Sequence, residues 1–296
     1  MRNNALKVGL DPAAPYNSGI YSGSTKFPNL DVHLSTVTLQ EVFQLALNEG
    51  VYDVAELSLA RTLMAIDRGA CEYRFLPIFP YRRTRLDTIY VQANGARTVD
   101  ELRGSRIGVP RFDQTAIMTA RGVLQDLYGL SPEDVKWVLG PVDEQANSNS
   151  LISETGAQSS APEKSLSDQL HSGSISALIS LRPPNDFHTG AFRRLFDDVA
   201  KEDKQYVSLS GFLPIMHMIG VHRRIGEYGA SDRRETVIRS LMTGFWQANA
   251  AVDPMPTSLT KQDRAALAAA SRWAHAQGLI SRPIEIDQEF EMIVAA

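Results

Sequence analysis

The sequence predicts an α/β fold. Three observations carry that expectation: short apolar runs of strand length recur along the chain, stretches of helical periodicity alternate with them, and glycines close several of those stretches. Alternation of this kind predicts mostly parallel sheets covered by helices.

The first strand is predicted at 6–10, "LKVGL". A helix follows at 38–49, where Val42, Leu45 and Ala46 share a face. Thr38 and Glu41 have the spacing of a capping box, and Gly50 follows as a stop. "YDVAEL" at 52–57 reads as a buried strand, and "LSLARTLMAIDRG" as a helix ended by Gly69. "RIGVP" at 106–110 is another strand, leading into a helix at 115–128 that Gly129 closes. "ISALISL" at 175–181 is a third buried strand, whereas 146–169, rich in Ser, Ala and Gln, reads as a surface connection. The last third is helical. Val237, Ile238, Leu241, Met242 and Phe245 form one stripe of a helix at 233–250, and Thr260 opens another with Asp263 at its third position and Gly278 at its end.

Bulk properties narrow the function. With 296 residues, 43% hydrophobic and 22% charged, the chain has the make-up of a globular protein of one large domain or two modest ones. A net charge of −4 without a basic run gives no footprint for nucleic acid. No apolar run approaches the roughly 20 residues a membrane helix needs. The opening residues, "MRNNALKVGLD", lack the pattern of an export signal, and Cys71 is the sole cysteine, so a cytoplasmic setting is expected. Phosphate-binding loops, a dinucleotide fingerprint and a nucleophile elbow are all missing, and none of the six histidines lies in a local metal-binding pattern. Neither a cofactor nor a metal is expected.

What remains is polar residues at strand ends, where α/β sheets bind ligands. Glu56 and Ser58 end one strand and open a helix; Asp113, Gln114 and Thr115 do the same after "RIGVP". Arg82, Arg83 and Arg85 precede "TIYV", and a guanidinium fork pairs a carboxylate on two points. Each has a plainer reading: Ser58 and Thr115 as helix caps, the arginines as solvated charge, Glu56 as a buried carboxylate paired to an arginine. His217 interrupts the apolar "GFLPIMHMIGVH", either as a core histidine or as a catalyst.

Taken in order, "YDVAELSLA", "FPYRRTRLDTIYV", "LRGSRIGVPRFDQTAIMTARGVLQDLYGL", "SALISLRPPNDFHTGAFRRLF" and "GFLPIMH" resemble the 4,5-dihydroxyphthalate decarboxylase family, from about Asp53 to His222. That family is a branch of the type II periplasmic-binding-protein superfold. The resemblance implies a two-lobed α/β protein with an interlobe ligand cleft. Lobe 1 would comprise 1–91 plus 212–296 and lobe 2 would comprise 92–211, with "TIYV" and "GFLPIMH" as adjacent strands. It also implies cofactor-independent loss of CO2 from an aromatic dicarboxylic acid, with a small aromatic carboxylate as partner. His217 would donate the proton, Arg82 and Arg85 would hold carboxylate, and Ser58 and Thr115 would give neutral hydrogen bonds. Glu56 would orient a ring hydroxyl or His217, and Tyr16, Asp113 and Gln114 complete the expected binding set. The sequence departs from the family pattern at Leu86 and Asp87, at Arg111, and at Ser18. The same superfold serves non-catalytic solute-binding proteins, so binding of a small carboxylate without chemistry is the alternative. The apolar C-terminal helices fit either core or a face between like subunits.

Overall fold

A computed structural model describes residues 5–143, 158–159, 164–227, 231–248 and 255–293. The chain first lays down β1 (Leu6–Gly9), α1 (Ser18–Tyr21), β2 (Val32–Leu34), α2 (Leu39–Glu49), β3 (Val54–Ser58), α3 (Leu59–Asp67), β4 (Tyr73–Phe75) and β5 (Tyr81–Arg82). It then builds a second sheet from β6 (Ile89–Gln92), β7 (Arg106–Val109), β8 (Lys136–Leu139), β9 (Gln158–Ser159), β10 (Ala177–Ile179) and β11 (Phe192–Arg194). Within that run lie α4 (Thr115–Tyr128) and α5 (Leu166–His171), and α6 (Val199–Ser210) follows it. β12 (Ile215–His222) returns to the first sheet, and α7 (Ser231–Ala248), α8 (Lys261–Ala276) and α9 (Ile286–Glu289) complete the chain.

Two compact units result, one of 1–82, 215–268 and 284–296 and the other of 83–214 and 269–283. Residues 83–91 and 269–283 thus fall in the second unit, because β6 pairs with β10 and β11 and because Trp273 packs on α4. Among the described residues no helix is long and apolar enough to cross a membrane.

In the first unit the strand order is β2-β1-β3-β12-β4, with β5 also on β12. β1 runs parallel to β2 and β3, but β12 runs antiparallel to β3, β4 and β5. The second sheet, β11-β6-β10-β7-β8-β9, is likewise mixed, because β6 is antiparallel to both its neighbours. The expected predominance of parallel pairing therefore stops at the strands where the chain passes from one sheet to the other. The expected adjacency of "TIYV" and "GFLPIMH" is corrected too: β6 and β12 belong to different sheets.

Local signals explain the elements. Thr38 and Glu41 form the capping box of α2: the Glu41 amide donates to Thr38 Oγ1 at 3.4 Å and the Thr38 amide to Glu41 Oε2 at 2.9 Å. Gly50 ends that helix with a left-handed backbone, φ 60°, that costs glycine nothing. β3 is buried along its whole length, which a strand flanked by two others and overlaid by α2 requires. Ile238, Leu241, Met242 and Phe245 of α7 join Val8, Val54 and Ile219 in the first core. Leu178 of β10 and Leu166 and Leu170 of α5 help form the second.

The expected surface connection at 146–169 needs correction where it is described. Ser165 caps α5 through a box with Asp168, and Ser165, Ser167 and Gln169 are buried. Their small polar side chains read as loop, but capping and hydrogen bonds satisfy them inside. Lys164 is exposed, and 146–163 lies outside the described residues, save the two of β9.

In the second unit Arg121 of α4 is 4% exposed, its guanidinium between the rings of Phe112 and Trp137 at 4.8 and 4.2 Å. Burial lowers its pKa, and the two ring faces supply the negative potential that an adjacent carboxylate otherwise would.

Candidate active site

Glu56 is the one charged residue of β3, and it is fully buried. Burying a carboxylate is tolerable only when its oxygens are occupied, and here both are. Tyr16 donates its hydroxyl to Oε1 at 2.6 Å and His217 Nδ1 lies 2.7 Å from the same oxygen. Asn17 Nδ2 donates to Oε2 at 3.0 Å and the Asp11 amide donates to it at 3.2 Å.

Strand register explains why the pair forms. His217 of β12 stands opposite Ser58 of β3, and Ile219 opposite Glu56, so Glu56 and His217 are diagonal neighbours on one face. A glutamate is long enough to cover that diagonal. On the other edge of β12 the register slips: Ile215 pairs with Arg82 and His217 with Tyr81, two residues against one. Such a bulge re-aims side chains. The Tyr81 ring comes to 5.3 Å from the His217 imidazole and stacks on Tyr16 at 5.8 Å. Phe43 of α2 meets the imidazole edge-on at 5.3 Å. His217 is thus boxed by rings, with 12% of its side chain exposed.

The electrostatics follow from these contacts. Burial alone would raise the Glu56 carboxyl; the hydrogen bond and charge of His217, with the Tyr16 hydroxyl and the Asp11 amide, outweigh it and hold the group below its ordinary value. An ionised carboxylate only accepts, so His217 Nδ1 carries the hydrogen that points at it. That fixes the imidazole's tautomer and leaves Nε2 as the nitrogen able to give or take a proton. Burial, with the adjacent Glu56 charge, pushes the Tyr16 hydroxyl pKa up, so Tyr16 stays a donor to Glu56.

A pH prediction comes from the Glu56 shift. Its folded pKa lies below its unfolded one, so the unfolded chain binds more protons between the two. The stability due to Glu56 is complete above the ordinary carboxylate value and is lost as pH falls through the folded value. Urea midpoints of wild type and Glu56→Gln are therefore expected to differ at pH 7 and to converge on acidification below about pH 4, near the reference glutamate pKa.

Of the expected site residues, the structure brings together Tyr16, Glu56, Ser58 and His217. Ser58 occupies the cap position of α3 but its hydroxyl makes no capping bond, unlike the plainer expectation for it. Arg82 sits next to Tyr81, yet adjacent strand residues point to opposite faces. Its guanidinium pairs with the buried Asp263, which also accepts from Thr260 to cap α8, and it lies 5.0 Å from the Phe79 ring. Glu56, for its part, is held by a histidine and a tyrosine, not by an arginine. Arg85, Asp113, Gln114 and Thr115 belong to the second unit. Arg85 holds a left-handed backbone, φ 67°, which is uncommon outside glycine. Asp113 is gripped by Arg111 on two points, both 2.8 Å. Gln114 occupies the cap position of α4 without a side-chain bond, and Thr115 is the helix's first residue, so Thr115 is no cap. Leu86, at a departure from the family pattern, is fully buried.

Sequence reasoning missed Asn17, Phe43 and Tyr81 as members of the cluster and Asp263 as the partner of Arg82. Tyr81 had a signal, because its spacing from Arg82 puts it on the other face of the same short strand. Phe43 and Asn17 had none, because their contacts to His217 and Glu56 span 174 and 39 positions of sequence. Among the described residues no group of three or more His, Cys, Asp or Glu is placed to hold a metal ion.

No family model matches the sequence. The chain is similar to the 4,5-dihydroxyphthalate decarboxylase of Comamonas testosteroni, 29% identical over 215 residues, which cover 70% of this chain and 65% of that protein. The matched stretch is thus just under two thirds of that relative's length. It is also similar to the 4,5-dihydroxyphthalate decarboxylase of Pseudomonas putida, 31% identical over 176 residues, 58% of this chain and 68% of that protein. Among solved structures it is similar to the periplasmic aliphatic sulphonate binding protein SsuA from Escherichia coli. Identity there is 13%, the TM-score 0.56, and coverage 96% of this chain and 91% of that one. That likeness speaks to the fold, which is periplasmic-binding-protein-like.

Proposed function

The chain belongs to the 4,5-dihydroxyphthalate decarboxylase family, and from that premise we propose that it removes CO2 from an aromatic dicarboxylic acid, 4,5-dihydroxyphthalate or a close analogue. The observation that carries the proposal is the buried Glu56 carboxylate on His217 Nδ1. A proton donor over an aromatic ring needs one nitrogen fixed and the other free to react, and this contact engages Nδ1 and not Nε2.

The chemistry needs no redox partner. Ring hydroxyls push electron density onto the carbon bearing the leaving carboxylate. His217, doubly protonated, gives its Nε2 proton to that carbon, and a C–H bond forms. The C–C bond to the carboxylate then breaks, its electron pair restores the aromatic ring, and CO2 departs. Neutral His217 regains a proton from water. Glu56 is the positioning residue: it stabilises the imidazolium before the transfer and holds the tautomer after it. Tyr16 and Asn17 hold Glu56. Tyr81, partly exposed, offers a ring beside the imidazole, suited to an aromatic substrate, and the buried Phe43 backs the imidazole from the core. Asp263 already occupies Arg82, one of the two arginines expected to hold carboxylate.

The experiment is to incubate the protein with 4,5-dihydroxyphthalate and follow CO2 release and the product spectrum. The expected result is one CO2 per substrate consumed. A second reading, solute binding without chemistry, draws on the fold shared with SsuA. Saturable binding of the same acid with no CO2 released would favour it over the decarboxylase.

A further inference from the structure

A cavity of about 560 Å³ lies within the first unit, against the C-terminal stretch. It is separate from the His217 cluster. Arg74, in its wall, stands opposite Val221, four positions along β12 from His217 and so about 13 Å away at roughly 3.3 Å per residue. Three arginines from three elements line it: Arg74 of β4, Arg234 of α7 and Arg264 of α8. Leu259, Phe290 and Met292 give it an apolar side.

Two of the arginines are braced by carboxylates of the C-terminal stretch. Arg74 Nε donates to Glu291 Oε2 at 3.0 Å, and Arg264 pairs with Asp287. Glu291 is further held by the fork of Arg223, at 3.0 and 2.6 Å, and its pKa falls in consequence. The stretch is also tied by backbone: the Phe75 amide donates to the Glu291 carbonyl and the Ile293 amide to the Phe75 carbonyl. Arg234 forms no salt bridge with any described residue, and the lining carries three arginines against two carboxylates.

We propose that this cavity is a second binding site, for an organic carboxylate with an apolar chain or ring. A guanidinium fork recognises a carboxylate on two points, and of the three lining arginines Arg234 is the one that forms no salt bridge with any described residue. Leu259, Phe290 and Met292 take the apolar body. The volume suits a small molecule, since ligand sites commonly measure some 300–1,000 Å³.

The test is calorimetric titration of the full chain with hexanoate. Binding is expected in wild type and in His217→Gln, and at least ten-fold weaker in Arg234→Glu, which reverses the uncommitted charge. It is expected to weaken equally in Thr257→Trp, which fills the cavity from an exposed loop position without changing charge. Circular dichroism on both variants confirms that they fold. Inorganic phosphate, which has no apolar body, is expected to bind at least ten-fold more weakly than hexanoate. Absence of binding in wild type, retention of affinity in either cavity variant, or equal affinity for phosphate would overturn the proposal.

Discussion

Replacing His217 with Gln is expected to lower the proposed turnover of 4,5-dihydroxyphthalate by about a thousand-fold, within the range of general acid catalysis, while the folded sheet is kept. Glutamine can still donate to Glu56 and fill much of the space between Phe43 and Tyr81, but it has no proton to give near neutral pH. If the proton moves only in the transition state, kcat falls and KM stays near its wild-type value. Glu56→Gln should act differently. The imidazole keeps a partner but loses the anion that stabilises its charged form, so a smaller loss, about a hundred-fold, is expected. In His217→Gln, the further change Glu56→Gln should cost little more turnover, because residues acting as a unit are not additive. Turnover of His217→Gln near the wild-type rate would sink the assignment.

Gly122→Val is expected to cost the second unit about 3 kcal/mol of stability, at the upper end of overpacking penalties. A β-carbon at Gly122 would overlap the indole of Trp273. That ring cannot step aside: it is 1% exposed, and its Nε1 donates to Asp126 Oδ2 at 3.1 Å. Asp126 is in turn held by the fork of Arg272 at 2.8 and 3.0 Å. Gly122→Ala should be milder, because alanine regains about 1 kcal/mol of helix propensity. Trp273→Phe, which frees space, is expected to rescue part of the Gly122→Val loss. Denaturant midpoints of the two single variants and the double give the coupling directly.

How much of this was legible in the sequence depends on how local each signal is. The cap at Thr38, the stop at Gly50 and the start of α4 rest on neighbours a few residues apart, and all three are where the sequence places them. The α5 helix was hidden, because Ser165 and Ser167 have the composition of a loop and reveal their burial only when packed. The sheet assignment of β6 was hidden too, since an apolar four-residue run does not say which strand it will pair with. At the site, Glu56 and His217 stand out as polar interruptions of apolar strands, and a resemblance ordered along the chain singles them out. Their contact is a property of register, which no local pattern contains. Arg82 shows the converse. Its cluster of arginines suggested an open clamp, but Asp263 is 181 positions away and its engagement with Arg82 could not be read.

β12 is paired on both of its edges, to β3 on one side and to β4 and β5 on the other. A strand so placed opens only when the whole sheet opens. Its amides should be among the slowest in the molecule to exchange with deuterium. His217, the proposed proton donor, therefore rides on a last-to-open segment, and heat should not erode the proposed turnover ahead of the melting of that sheet. Where many enzymes lose activity through a loosened loop, the proposed activity should fail all at once.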